Sequence, residues 1–260
     1  MILPGGGYMH KNLHNITMDK LQKIYTMVGD RKGWDFSQMK TEKEPPPWDY
    51  MELVLRYIKQ TDYILDIGTG GGERFFRLSK HFSKGVGIDM DSDMISTAEE
   101  NANKKNINTV MFQRMEAEHI QFPKNTFDIV LNRHAPIVPG EIAKVLKRDG
   151  YCITQQVEKE NMKNLKKIFH YEKTWKNNVH ALGQDFEKHG CRIIATGKYN
   201  INYWVKDIPS LVFWLKAVDL PENFTVKNHG LQLLRYIKEY ITPKGFITNE
   251  SREFLVVRKK

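Results

Sequence analysis

Residues 63–73, with the sequence YILDIGTGGGE, restrict the possible folds of this chain more than any other stretch. A short apolar run leads into Asp66, four of the next six residues are glycine, and a helix-favouring segment follows. Glycine adopts left-handed backbone angles without strain and lets a ligand approach bare backbone. The stretch therefore predicts a buried strand, a tight turn and the start of a helix, an arrangement that binds nucleotide-like ligands in α/β sheets.

Two glycine patterns compete for this turn. The dinucleotide pattern G-x-G-x-x-G, counted from Gly68, requires a third glycine where the chain has Glu73. Asp66 and Glu73 would also place negative charge beside a pyrophosphate. The pattern D-x-G-x-G-x-G matches without exception from Asp66 to Gly72, so the turn is predicted to hold a ligand that tolerates acidic neighbours.

Later residues agree with this interpretation. Residues 86–89, VGID, form a second apolar run that ends in Asp89, and an acid at this place commonly accepts hydrogen bonds from ribose hydroxyls. Met90 follows this acid. Residues 115–118, MEAE, precede another apolar run, FDIV at 127–130.

In this combination the chain resembles the class I S-adenosylmethionine-dependent methyltransferases, in particular the type 11-like methyltransferase domains. The resemblance is specific over roughly residues 60–157. It implies S-adenosyl-L-methionine as cofactor and S-adenosyl-L-homocysteine as product. Because this cofactor carries a sulfonium and an ammonium but no phosphate, acids at the turn are electrostatically favourable. The cofactor-binding residues carried over by the resemblance are Asp66, Gly68, Thr69, Gly70, Gly72, Asp89, Met90, Glu116, Ala117 and Asn132. The alternative is a Rossmann-like domain whose acids only cap helices.

From residue 62 to 157 the pattern alternates between strand and helix. Strands are predicted near 63–67, 85–89, 109–113, 127–132 and 150–157, and helices near 72–81, 91–104 and 139–147. The fold class is therefore α/β, with a Rossmann-like doubly wound sheet that is mostly parallel. The resemblance adds an antiparallel closing pair, which we place at 191–203 and 246–258.

The predicted domains are an N-terminal helical cap at 1–60 and a methyltransferase domain at 61–260. Helices are expected at 16–28 and 48–60 in the cap, and at 161–175, 209–218 and 230–240 further on. Residues 204–244 are predicted to be an insertion on the substrate side. Aromatic residues are frequent in both flanking regions, including Trp34 and Trp214. They predict a lid over the cofactor and acceptor, while ordinary core packing is the alternative.

Methyl transfer from a sulfonium requires alignment of the acceptor, and a general base only if the acceptor must lose a proton. The fourth strand ends in NRHAP, where His134 is predicted to be the base and Arg133 to hold an acidic or planar group. Gln155 and Trp214 are further substrate-site candidates. In the alternative interpretation, His134 caps the turn and Arg133 pairs with a surface acid. The run lacks the Asn/Asp-Pro-Pro-aromatic motif of base N-methyltransferases, and Cys152 lies at the wrong strand end for a pyrimidine C5 nucleophile.

The charge and composition of the chain limit the kinds of partner and environment that we expect for it. The net charge of +9 permits nucleic acid, but the lysines are scattered, so nucleic acid is possible and not favoured. No apolar stretch approaches a membrane span and the first residues lack the plan of a signal peptide. Cys152 and Cys191 are expected to be buried free thiols in a reducing cytoplasm. The sequence has no Cys/His cluster of the kind that would predict a metal site.

The favoured function is an S-adenosylmethionine-dependent methyltransferase that acts on a small or medium-sized acceptor by in-line transfer. An RNA methyltransferase is the first alternative, supported by the basic charge alone. A protein that binds the cofactor without transferring the methyl group is the second. The oligomeric state does not follow from the sequence.

Overall fold

The computed structural model describes residues 16–30, 35–171 and 178–260. These residues form two compact units. The core unit contains residues 46–158, 178–199 and 252–260, and the second unit contains residues 16–30, 35–45, 159–171 and 200–251. Trp34 lies outside the described residues, as does part of the helix predicted at 161–175.

The core unit is a sheet with helices on both faces. Its strands are β2 (Tyr63–Ile67), β3 (Lys84–Asp89), β4 (Val110–Arg114), β5 (Phe127–Arg133), β6 (Leu146–Val157) and parts of β7 (Cys191–Val205) and β9 (Gly245–Lys259). Its helices are α2 (Tyr50–Leu55), α3 (Glu73–Leu78), α4 (Ser92–Lys104), α5 (Pro139–Val145) and α7 (Val179–Lys188).

Neighbouring strands follow the order β7-β9-β6-β5-β2-β3-β4. The pairs β2/β3, β2/β5, β3/β4 and β5/β6 are parallel, whereas β6 and β9 are antiparallel. Parallel strands need a long crossover between them, and α3, α4 and α5 lie in these connections. The predicted fold class, a mostly parallel doubly wound sheet with an antiparallel last strand, is confirmed.

Each face of this sheet is covered by its own apolar cluster. Leu65, Ile67 and Val130 belong to one cluster, and their alternate neighbours Ile64, Ile129 and Leu131 belong to the other. Such alternation follows from the two-residue period of a strand. Because both faces are buried at β2, β3 and β5, these strands are near-continuous apolar runs, and this explains why their positions were predictable to within a few residues.

The helices were less well predicted than the strands. The helix expected at 72–81 is six residues long, Glu73–Leu78, and the one expected at 48–60 is Tyr50–Leu55. Asp91 caps α4 as expected, accepting a hydrogen bond from Asp93 N at 2.8 Å. The short strands β1 (Thr41–Lys43) and β8 (Ile241–Thr242) were not predicted, because two or three residues carry no readable period.

The second unit contains α1 (Met18–Met27), α6 (Lys163–Phe169), α8 (Ile208–Ala217) and α9 (Val226–Glu239). Its buried cluster includes Leu21, Leu165, Leu211 and Tyr236. Strand β1 pairs antiparallel with the end of β7, and β8 pairs antiparallel with the start of β9. In the part of the chain that the structure describes, no helix combines the length and the apolar character needed to cross a bilayer.

Candidate functional site

The glycine turn after β2 has left-handed backbone angles, with φ of 71° at Gly68, 56° at Gly70 and 78° at Gly72. Side-chain-bearing residues rarely adopt such angles. The turn is tied to the next strand, since Gly68 N and Thr69 N both donate to Ile88 O, at 2.8 and 3.0 Å. A Cβ at Gly68 would lie 2.3 Å from the Cβ of Ala135. The turn therefore requires glycine both for its angles and for its contact with the loop after β5.

Asp89 lies at the end of β3 and supports the glycine turn. Its Oδ2 accepts a hydrogen bond from Gly70 N at 3.0 Å and its Oδ1 accepts one from Asp91 N at 3.1 Å. A carboxylate oxygen has capacity for two hydrogen bonds. Each oxygen thus keeps one lone pair for a further donor, such as a ribose hydroxyl.

Asp66, the first residue of the motif, is in an environment that disfavours charge. Burial raises the pKa of its carboxyl to about 7, and the carboxylate of Asp89 contributes to this rise. A cation bound at the turn would reverse the effect and hold the carboxyl ionised. The complementarity between Asp66 and a positively charged ligand stays a prediction, and it requires the cation itself to ionise this carboxyl.

An open pocket of about 390 Å³ adjoins the end of β4. Its lining residues are Met90, Arg114, Met115, Glu116, His119 and Gln121. The sequence predicted Met90 and Glu116 here but missed the others. Arg114 Nε donates a hydrogen bond to Met90 O at 3.1 Å and so fixes the backbone at the edge of the pocket. The predicted contact residue Ala117 is itself buried beside this pocket, whose size and mixed polar lining suit an adenine ring.

His134 is half-buried at the end of β5 and has a left-handed φ of 61°. Its backbone N donates to Gln155 O at 3.0 Å. Burial lowers the pKa of its imidazole well below the ordinary value, and the charges of Arg133, Arg252 and Arg74 lower it further. His134 is therefore neutral near pH 7 and is a weaker base than an exposed histidine.

The side chain of Gln155 links His134 to Trp48. The indole Nε1 of Trp48 donates to Gln155 Oε1 at 3.2 Å, and Gln155 Nε2 lies 3.4 Å from His134 Nε2. Since the amide oxygen is used by Trp48, the amide NH₂ faces the imidazole. This selects the tautomer that carries its proton on Nδ1. Trp48 is held by the rings of Tyr199 and Phe254, with centroids at 4.6 and 4.8 Å. The sequence predicted Gln155 as a site residue but gave no signal for this role of Trp48.

Asn132 is fully buried and its side chain holds the loop that carries His134. Its Nδ2 donates to Pro136 O at 2.8 Å, while its Oδ1 accepts from Thr154 Oγ1 at 3.1 Å and from Gln156 Nε2 at 2.7 Å. The amide thus makes protein contacts, whereas the sequence predicted a cofactor contact. Asn132 faces the opposite side of the sheet from Arg133, as neighbouring strand residues do.

The carboxyl ends of β2, β3 and β5 form the edge at which ligands bind in open α/β sheets. This edge brings together the glycine turn and the side chains of Asp66, Asp89, Arg133 and His134. Trp214 lies in the second unit, where its ring packs 5.3 Å from that of Tyr203. Among the described residues, no group of three or more His, Cys, Asp and Glu side chains could hold a metal ion.

This fold and site define a doubly wound α/β protein with a glycine-rich turn and acidic side chains at the carboxyl ends of its parallel strands. A family model described as a methyltransferase domain matches residues 58–207, more than half of the chain. The chain belongs to this methyltransferase family. The matched segment is a methyltransferase domain, and its family supports S-adenosyl-L-methionine as the methyl donor, as the resemblance implied.

Curated relatives carry methyltransferase names. The chain is 34% identical over 94 residues to the uncharacterized methyltransferase YcgJ of Bacillus subtilis, a match that covers 34% of this chain and 37% of the relative. It is 29% identical over 172 residues to the ubiquinone/menaquinone biosynthesis C-methyltransferase UbiE of Agrobacterium fabrum, covering 61% of this chain and 63% of the relative. The chain thus spans less than two thirds of the length of either protein.

Solved structures show the same fold. The crystal structure of YcgJ from Bacillus subtilis superposes with a TM-score of 0.59 at 18% identity, over 81% of this chain and 98% of that one. Geranyl diphosphate methyltransferase in complex with S-adenosylmethionine superposes with a TM-score of 0.53 at 13% identity, over 81% and 84%. At these identities the likeness concerns the fold alone.

Proposed function

We propose that this methyltransferase acts on a small or medium-sized acceptor, by in-line transfer assisted by His134. One observation carries the proposal: a neutral, half-buried imidazole of defined tautomer lies beside the glycine turn, since Ala135 contacts the position of a Gly68 Cβ. The name of UbiE, whose acceptors belong to quinone biosynthesis, is consistent with it. A relative from Dictyoglomus thermophilum, 30% identical over 137 residues, is named for a ribosomal protein acceptor, so relatives alone do not decide the class.

The residues present fit the cofactor. The turn offers bare backbone at Gly68 and Gly70, and Asp89 keeps two free lone pairs for hydroxyl donors. Met90 and Glu116 line a pocket of suitable size, and the buried Ala117 follows Glu116 in the chain. Thr69 is assigned to the same turn. When bound, S-adenosylmethionine supplies an electrophilic methyl group on its sulfonium. Asp66 balances the positive charge, and Asn132 is assigned the indirect role of fixing the loop at 132–136.

His134 accepts on Nε2 the proton that an O–H or N–H acceptor loses on methylation, after the acceptor takes the place of the Gln155 amide at that nitrogen. The imidazole is neutral at working pH and needs no prior deprotonation, while its lowered pKa makes it a weaker base than an exposed histidine. Gln155 holds the imidazole in one orientation and Arg133 lies next to it. The chain therefore contributes alignment, proton acceptance and charge placement.

Three further assignments stay proposals. The cytoplasm is proposed as the location, supported by the two buried free thiols of Cys152 and Cys191. Residues 1–60 are proposed as a cap, and residues 204–244, including Trp214, as a substrate-side insertion. The aromatic content of these segments supports both.

The test is a transfer assay with methyl-labelled S-adenosylmethionine and a panel of small phenols, amines, thiols and carboxylic acids, with release of S-adenosylhomocysteine as readout. Turnover with at least one small acceptor, lost in His134→Gln for acceptors that must shed a proton, is the expected result. Tight cofactor binding with no turnover on any acceptor would indicate a binding protein, and turnover on RNA alone would indicate the first alternative.

A further inference from the structure

The sheet register places two arginines on one face at the cofactor end of the sheet. Arg133 is the cross-strand partner of Gln155, and Gln155 is the partner of Phe254. Directly opposed residues point to the same face. Arg252 precedes Phe254 by two positions, so it shares that face, and it pairs with Val157 at the end of β6. Because β9 is antiparallel, its early residues lie beside the carboxyl ends of β5 and β6.

The spacing lets both guanidinium groups approach one ligand. Arg133 and Arg252 are two strands apart, about 10 Å, and offset by two residues, about 7 Å, so their Cα atoms are roughly 12 Å from each other. Their side chains flank Gln155, which contacts His134. Both arginines are half-buried, and the charges of both act on the imidazole of His134.

A third positive charge belongs to the same region. Arg74, in the first turn of α3 next to the glycine turn, also acts on His134. Like charges that are partly removed from water repel each other more strongly than exposed ones. Arg133 and Arg74 also act on the carboxyl of Asp66. An anion bound between Arg133 and Arg252 lowers the remaining repulsion, and the planar guanidinium fork matches carboxylate and phosphate oxygens in two-bond geometry.

We propose that Arg133 and Arg252 bind an anionic group, a carboxylate or a phosphate, on the methyl acceptor. The inference rests on the proposed function and deepens it by naming the acceptor class. With the anion held by the two arginines, the nucleophile of the acceptor lies beside His134 and faces the cofactor turn. Acceptors without an anion lose both binding and alignment.

Two other sources of anion are distinguished by the test. The carboxylate of the cofactor itself could occupy the arginines, in which case their loss weakens S-adenosylhomocysteine binding. An RNA phosphodiester could do so as well, in which case an oligonucleotide displaces a small anion at physiological salt. The acceptor is favoured because Arg252 lies on the far side of Gln155 from Arg133, away from the strand that carries the glycine turn.

The experiment uses the full chain saturated with S-adenosylhomocysteine and titrated by calorimetry with three matched probes: 3-hydroxybenzoate, phenyl phosphate and neutral 3-hydroxybenzamide. An anion is expected to bind at least about tenfold more tightly than the amide. Arg252→Gln should reduce this preference about ten- to hundredfold, the range of a charge-assisted hydrogen bond. Arg252→Lys keeps the charge but loses the guanidinium fork, so it should retain part of the preference for anions.

Arg258→Gln is the matched control. It removes the same charge from the same strand, but at the opposite edge of the sheet, where Arg258 pairs with Asp149 at 2.8 Å. It should keep the full preference for anions. Equal binding of anion and amide, or equal behaviour of the Arg252→Gln and Arg258→Gln proteins, would overturn the proposal.

Affinity for S-adenosylhomocysteine is measured separately for every variant. It should stay within about twofold, which also shows that the variants are folded. A tenfold loss in Arg252→Gln would assign the arginines to the cofactor, and displacement of 3-hydroxybenzoate by a single-stranded RNA decamer would assign them to nucleic acid. Either result would overturn the proposal. If the unmodified chain fails to bind S-adenosylhomocysteine, the proposed function fails instead.

Discussion

At the scale of single residues, Asp89 has two roles. Its carboxylate accepts a hydrogen bond from the backbone of the glycine turn and retains lone pairs that can accept hydrogen bonds from ribose hydroxyls. Asp89→Ala should therefore weaken S-adenosylhomocysteine binding about ten- to hundredfold, the range expected for a lost charge-assisted hydrogen bond. Calorimetry measures the change. Asp91→Ala removes an acid two positions later that only caps α4, and it should leave the affinity within about twofold. Equal losses in both variants would contradict the assignment.

His134 gives a prediction about pH. Burial and the charges of Arg133, Arg252 and Arg74 lower its pKa, so the folded protein should keep this imidazole neutral as pH falls through 6.5, the ordinary value. The unfolded chain takes up its proton first, so the contribution of His134 to stability is lost as pH drops below 6.5. An NMR titration of the His134 ring checks this. A midpoint at or above 6.5 would show that the predicted environment is wrong.

Trp48 is expected to act through Gln155. Trp48→Phe keeps a ring between Tyr199 and Phe254 but removes the N–H that holds the Gln155 amide. A neutral hydrogen bond is worth about 0.5–1.5 kcal/mol, so kcat should fall about two- to tenfold while KM for the cofactor is unchanged. The nitrogen spectrum of His134 should show a mixed tautomer. An unchanged tautomer would restrict Trp48 to packing.

At the scale of elements, the glycine turn and the loop after β5 are fitted to each other. Gly68→Ala places a methyl group 2.3 Å from Ala135 Cβ at a φ of 71°. Overpacking and a strained backbone each cost about 1–3 kcal/mol, so the free energy of unfolding should fall by at least about 2 kcal/mol in urea denaturation. Adding Ala135→Gly should restore part of the loss. Gly29→Ala, with nothing within 4 Å, is the neutral control.

The strands show what the sequence can predict. Apolar runs buried on both faces identified β2, β3 and β5 closely, and the motif at Asp66 to Gly72 predicted the left-handed glycine turn that the structure shows. Local pattern could not decide which polar side chain at a strand end faces the ligand. Asn132 was predicted to bind the cofactor and Gln155 to face the substrate, yet the side chain of Asn132 bonds Pro136 and Thr154, and that of Gln155 faces His134. Trp48 and Arg252 reach the site through pairings distant in sequence, which local periodicity does not encode.

At the scale of the whole molecule, the net charge of +9 leads to a prediction about nucleic acid. With dispersed lysines, binding should be non-specific and should weaken steeply as salt rises. Retention of a labelled structured RNA and of an unrelated one, measured from 50 to 200 mM salt, should fall in parallel. A complex with one RNA that persists at physiological salt would favour the RNA methyltransferase.

The position of β9 has a consequence for synthesis on the ribosome. This strand lies between β6 and β7 in the sheet, yet it follows both in the chain, and Arg258 Nε bonds Asp149 O across 109 residues. Until β9 emerges, the nascent chain presents β6 with one unpaired edge. Such non-local closure is slow, and open strand edges invite association between chains. The nascent polypeptide is therefore most exposed to chaperones and to aggregation in the interval between translation of β6 and of β9.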